Sequence, residues 1–176
     1  NDRIDFLVAY FKEADPLDAI WSIWFLIGNR VKGVLKTSEL RQFISEFSEL
    51  PLWLVEECND CVGDLAETVS LLIEKSSETR SEIALREIVE RYLLSLAGMK
   101  IEQKRERLYE AWRLLGTENL LPFHKLITGG FRMGVSSGIL YKALAKVGKV
   151  EPAIIAQRLS GEWHPDDSDM ASIMNP

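Results

Sequence analysis

Apolar residues recur at three- and four-residue intervals along nearly the whole chain, a period that predicts helices. Asp15 before Pro16 reads as an N-cap followed by proline at the first helical position, with Asp18 in the first turn. The helix it opens carries Ile20, Trp21, Ile23, Trp24 and Ile27, a wide apolar surface, and Gly28-Asn29 closes it. Thr37 or Ser38 is expected to cap a helix bearing Leu40, Phe43, Ile44 and Phe47, and Pro51 to start another that runs towards Val62. Leu65, Val69, Leu72 and Ile73 mark the inner stripe of a helix beginning near Gly63-Asp64. Ile83 to Leu96 continues the period and stops at Gly98. Ile101, Leu108, Ala111, Trp112 and Leu115 define a charged surface helix, ended by Gly116. Further helices are expected over about Thr117–Thr128, Ser136–Val147 and Pro152–Ser160. No alternating, β-branched run flanked by hairpin turns occurs. The fold class predicted is all-α, with about ten helices and short connections.

The ending has a different character. Glu162 to Asp169 is acidic and turn-rich, which suggests a helical domain over 1–160 and a linker over 161–176. The abrupt start and this tail are those expected of a piece excised from a longer protein.

Composition fits one medium domain with a sizeable core: 176 residues, 47% of them hydrophobic. The longest apolar run, Ala19 to Gly28, is about half of the roughly 20 residues a bilayer span needs, and no signal peptide opens the chain. A soluble intracellular protein is therefore expected, with no membrane partner. Cys58 and Cys61 form a C-x-x-C, open to reading as a redox pair, half a zinc site, or two structural thiols one helical turn apart. No strand precedes them, and the only histidines, His124 and His164, lie far off, which favours the structural reading.

The net charge of −6 argues weakly against a nucleic-acid partner, yet the charges are segregated. From Gln42 to Thr79 nine acids face one base, Lys75. From Phe123 to Ser160 six bases (Lys125, Arg132, Lys142, Lys146, Lys149, Arg158) face Glu151 alone, and Arg30, Lys32, Lys36 and Arg41 cluster earlier against Glu39. Such patches can bind phosphate locally, with an affinity sensitive to salt.

Two glycine-led helix openings carry the candidate chemistry. One is Val62-Gly63-Asp64-Leu65. The other runs from Lys125 through Thr128, Gly129, Gly130, Arg132 and Gly134 to Ser136. Glycine allows a foreign backbone to approach closely. Amides at a helix start carry positive partial charge that suits a phosphate oxygen, and Lys125 and Arg132 would add full charges beside them. A Gly-Gly pair between helices also serves as a C-cap and tight turn, and Asp64 would repel phosphate, so on the residues alone both readings stand.

The strings KLITGGFRMGVS and LYKALAKVGKVEPAIIAQRLSGEW resemble the end of the N-terminal DNA-binding domain of ATP-dependent DNA ligases. VGDLAETVSLLIE, LPLWLVEECNDC and FLVAYFKEADPLDAIWSIWFLIGNR are similar to that family too, and in the right order. Bacterial members look nearest. The resemblance implies an all-helical domain that grips nicked double-stranded DNA through its backbone across the minor groove. It would work beside adenylation and OB-fold domains of the same parent chain, in replication, repair or recombination. Arg132 would be the leading phosphate contact, with the Gly129–Ser136 loop (Gly129, Gly130, Gly134, Ser136) and Gly63 facing DNA. Lys125, Thr128, Arg30 and Lys32 follow on location and charge. The place of action would be the bacterial cytoplasm, at the nucleoid.

The family's chemistry needs a lysine nucleophile in a Lys-x-Asp-Gly motif, and no such string occurs. Nor is there a glycine-rich P-loop or a carboxylate cluster suited to magnesium. The chain alone is therefore expected to be catalytically inactive and to need no cofactor. ATP and Mg²⁺ would belong to the full-length enzyme. The residues leave two competing readings: a helical protein–protein module, suggested by the acidity and the apolar tail residues Trp163, Met170, Ile173 and Met174, and a small enzyme using Cys58 or Cys61.

Overall fold

Caps and glycines in the sequence set most of the helix boundaries. In the computed structural model, which describes residues 2–73, 83–131, 134–167 and 170–174, eleven α-helices and no strand occur among the described residues. They are α1 (Asp2–Glu13), α2 (Pro16–Leu26), α3 (Thr37–Ser48), α4 (Leu52–Val62), α5 (Leu65–Leu72), α6 (Leu85–Ile88), α7 (Ile101–Leu114), α8 (Thr117–Thr128), α9 (Ser137–Gly148), α10 (Pro152–Arg158) and α11 (Met170–Met174). No helix among the described residues is long and apolar enough to cross a membrane.

Asp15 caps α2 by accepting the Leu17 amide at 2.8 Å, with Pro16 in the first turn. Asp64 caps α5 in the same way, accepting the Glu67 amide at 2.9 Å. The expected Thr37 or Ser38 cap of α3 is corrected. Lys36 occupies the N-cap, and Glu39 reaches back to accept its amide at 2.8 Å. The carboxylate three residues into the helix thus outweighs the hydroxyls beside it. The stretch expected as one helix from Ile83 to Leu96 also differs. α6 passes into a π-helical turn over Val89–Leu94 and then a 3₁₀ turn over Ser95–Gly98. Val89, Tyr92, Leu93 and Leu96 are all buried, at the three- and four-residue spacing of one α-helical stripe, so the spacing itself carries no sign of the wider turn.

The chain forms two compact units, Asn1–Asn29 with Arg132–Pro176, and Arg30–Phe131. In the first, α9 packs on α1 and α10, and its core gathers Ile4, Leu7, Phe11, Ile20, Ile23, Leu140, Leu144 and Ile155. The tail folds onto this unit. Met170 and Ile173 are buried, the Trp24 indole N–H donates to the Trp163 carbonyl at 3.3 Å, and His164 sits edge-on to Trp21. In the second unit α5 packs on α8, around Phe43, Ile44, Val69, Leu108, Trp112, Leu115, Phe123 and His124.

α3–α4 and α9–α10 share a design. Each first helix ends in a non-glycine residue in the left-handed region, Glu49 (φ 58°) and Lys149 (φ 57°), before the second helix begins. A side chain there strains the backbone, and glycine does not. Glu49→Gly is therefore expected to stabilise the protein by up to about 1 kcal/mol, read as a higher urea midpoint at unchanged slope.

Candidate nucleic-acid interface

Within the second unit, the loop from Arg30 to Lys36 wraps a concave site of about 520 Å³. Val34, Leu40 and Ile127 give it an apolar lining. Arg30, Lys32, Lys36 and Lys104 bring four cations to it, against Glu39 alone. α3 begins here, and Thr37, in its first turn, lines the groove, so the positive end of the helix dipole adds to the cations. Lys104, reaching from α7, donates to the carbonyls of Val34 (2.9 Å) and Gly33 (3.4 Å) and so fixes the loop. Gly33 sits at φ 72°, which lets the loop turn without strain.

Thr128 and Gly129 form the far wall. Gly129 adopts φ 74°, a backbone shape that favours glycine, and the exposed Arg30 side chain lies over it, 2.9 Å from where a Cβ would stand. Four of the residues singled out from sequence, Arg30, Lys32, Thr128 and Gly129, are thus brought together at one site. The sequence reading left Lys36 and Lys104 outside its candidate set. Lys104 lies in a charged helix far along the chain, where its spacing carries no sign of the groove.

The free amides expected at the glycines need correction. The N–H groups of Gly129 and Gly130 both donate to the Lys125 carbonyl and close α8, and that of Gly63 donates to Asn59 and closes α4. These glycines end helices. What Gly63 and Gly130 offer an incoming backbone is room, both being exposed and uncrowded, whereas the Arg30 side chain lies over Gly129. A true helix start does occur in the first unit. Ser136 caps α9, its hydroxyl accepting the Ile139 amide at 3.3 Å, and Gly134 precedes it at φ 66°. Arg3, also outside the sequence-derived set, donates to the Gly134 carbonyl at 2.7 Å and brings a guanidinium beside that turn. Arg132, expected to lead, lies outside the described residues.

Lys125 is committed elsewhere. Its ammonium lies 2.5 Å from Asp64, and this hydrogen bond, helped by the Glu67 amide, holds the Asp64 carboxyl below its usual range. Asn caps helices as well as Asp does, so Asp64→Asn should preserve α5 while freeing Lys125 and deleting an anion. Affinity for duplex DNA at low salt is expected to rise by about two- to fivefold, measured by fluorescence anisotropy.

The model of the family described as DNA ligase N terminus, the N-terminal domain of ATP-dependent DNA ligases, matches residues 1–145. The chain belongs to this family. No curated protein matches it. The family match spans the groove, its glycine wall and the start of α9. Among the described residues no three His, Cys, Asp or Glu side chains gather to hold a metal ion. Cys58 and Cys61 are free thiols on α4.

Proposed function

We propose that this ligase N-terminal domain binds nicked duplex DNA by its sugar–phosphate backbone, without reading sequence. The observation that carries the reading is the concentration of Arg30, Lys32, Lys36 and Lys104 around one concave site in a chain of net charge −6. Cations collected against the overall charge favour an anionic ligand, and backbone contacts fix position while leaving base identity unread. The α9 start, with Ser136, Gly134 and Arg3, supplies further backbone-directed groups. Gly63 and Gly130 offer close approach, and Arg132 is retained from the sequence as a phosphate contact.

The catalytic steps fall to other parts of the parent ligase, an adenylation domain and an OB-fold domain using ATP and Mg²⁺. The contribution of this domain is to hold the two ends in line, so that joining proceeds as an intramolecular event in replication, repair or recombination. A labelled nicked duplex titrated with the 176-residue chain tests this. Affinity is expected to fall by about two orders of magnitude between 50 and 200 mM salt, as release of about four counterions requires. Binding that ignores salt, or that depends on sequence, would contradict it. The competing reading as a protein-binding module loses its support from the tail, because Met170 and Ile173 are buried within the chain itself.

A further inference from the structure

α4 has one buried residue, Val55, and a face on the other side left open. Leu52, Trp53, Glu56, Glu57, Asp60 and Cys61 follow one another along that face, and all are exposed. Trp53 is 63% exposed, whereas the other four tryptophans are buried or half-buried. Glu56 and Glu57 stand one helical turn beyond it, where side chains three and four apart are neighbours, and Asp60 continues the row. Among the described residues, none of these three carboxylates has an ion pair or a hydrogen bond through its side chain.

We propose that this face of α4 docks a lysine- or arginine-rich, partly apolar segment of a partner protein. The charge complementarity is specific in kind. An indole face attracts a cation through its quadrupole, and carboxylates one turn away pair with the same ammonium or guanidinium. Leu52 beside Trp53 gives the apolar part of such a segment a place to be buried, and aromatic anchors of this type dominate interface energetics. Phosphate is excluded, since an approaching backbone would meet three unpaired anions. The face and the cationic groove of the same unit therefore select opposite partners, and substitutions at one should leave the other unaffected.

The probes are a synthetic peptide of alternating lysine and leucine, a matched peptide of glutamate and leucine, and a short nicked duplex. Each is added to the ¹⁵N-labelled 176-residue chain and followed by amide chemical shifts. The lysine–leucine peptide is expected to shift amides of residues 52–61. Its affinity should fall about tenfold in Trp53→Ala, and comparably in the double variant Glu56→Gln, Glu57→Gln, while the glutamate–leucine peptide does not bind. All three side chains are exposed, so the variants should fold, and their amide spectra verify it. The proposal is overturned if the shifts fall outside α4, or if Trp53→Ala binds within about twofold of the unsubstituted chain. It is overturned equally if the duplex moves these same amides, which would make the face a nucleic-acid surface.

Discussion

Arg30→Glu combined with Lys32→Glu is expected to weaken binding of a nicked duplex by at least about two orders of magnitude at low salt. Each substitution removes a cation and places an anion in a site that already holds Glu39, so the concave surface changes sign around its rim. The salt slope should shrink by about two, one unit for each lost phosphate contact. Both side chains are exposed, so the unfolding free energy from urea titration should change by less than about 0.5 kcal/mol and separate lost binding from lost structure. Lys12→Glu, on the exposed side of α1, is the control for net charge, matched to either groove substitution made singly. If Lys12→Glu weakens binding as much as either groove substitution, general attraction rather than the groove is responsible.

Acid should destabilise the protein through one buried ring. His124 is wholly buried. The Trp112 indole N–H donates to its Nε2 at 2.7 Å, and its Nδ1 lies 2.8 Å from the Ser70 hydroxyl, which donates onward to the Ala66 carbonyl at 2.7 Å. An indole nitrogen can only donate, so Nε2 must accept and the ring carries its single proton on Nδ1. Protonating Nε2 would set two N–H groups against each other in a dry core. Burial accordingly pushes the imidazole from 6.5 down to about 3. The unfolded chain binds a proton below about pH 6.5 and the folded chain does not until about pH 3, so stability is lost as the pH falls through that window. The loss from this group alone is about 1.4 kcal/mol per pH unit. Urea midpoints between pH 7 and 4 measure it. His124→Gln keeps an acceptor and a donor without titrating, and should flatten this part of the acid limb. An unchanged limb would exclude His124 as its source.

Much of the fold was legible because caps and periods are local. Asp15-Pro16, Pro51 and Gly116 place helix boundaries within a residue or two of those observed. α8 runs over Thr117–Thr128 as its spacing predicts. Tertiary packing decided what local signals could not. The π turn at Val89–Leu94 leaves no mark in the spacing, because Val89, Tyr92, Leu93 and Leu96 keep the pattern of an α-helical stripe. The kinship of α3–α4 with α9–α10 also escaped the sequence reading. Leu40, Ile44 and Val55 are matched by Leu140, Leu144 and Ile155 one hundred residues later, yet the intervening side chains differ in size and charge. At the candidate site, Arg30, Lys32, Thr128 and Gly129 were legible from charge and glycine content. Lys104 was hidden because a cation in a charged helix looks like solvated surface until its partners, the carbonyls of Gly33 and Val34, are located.

That clasp on two carbonyls governs how a ligand would be received. A basic loop normally samples many shapes and must freeze on contact, which subtracts from affinity. Here the freezing is already done by a side chain from another helix. Association should resemble a key meeting a finished lock: heat capacity should change little beyond the surface covered, and salt should act chiefly on the arrival rate. Lys104→Met would keep the stem, unfasten the loop, and turn that encounter into one where ordering must follow contact.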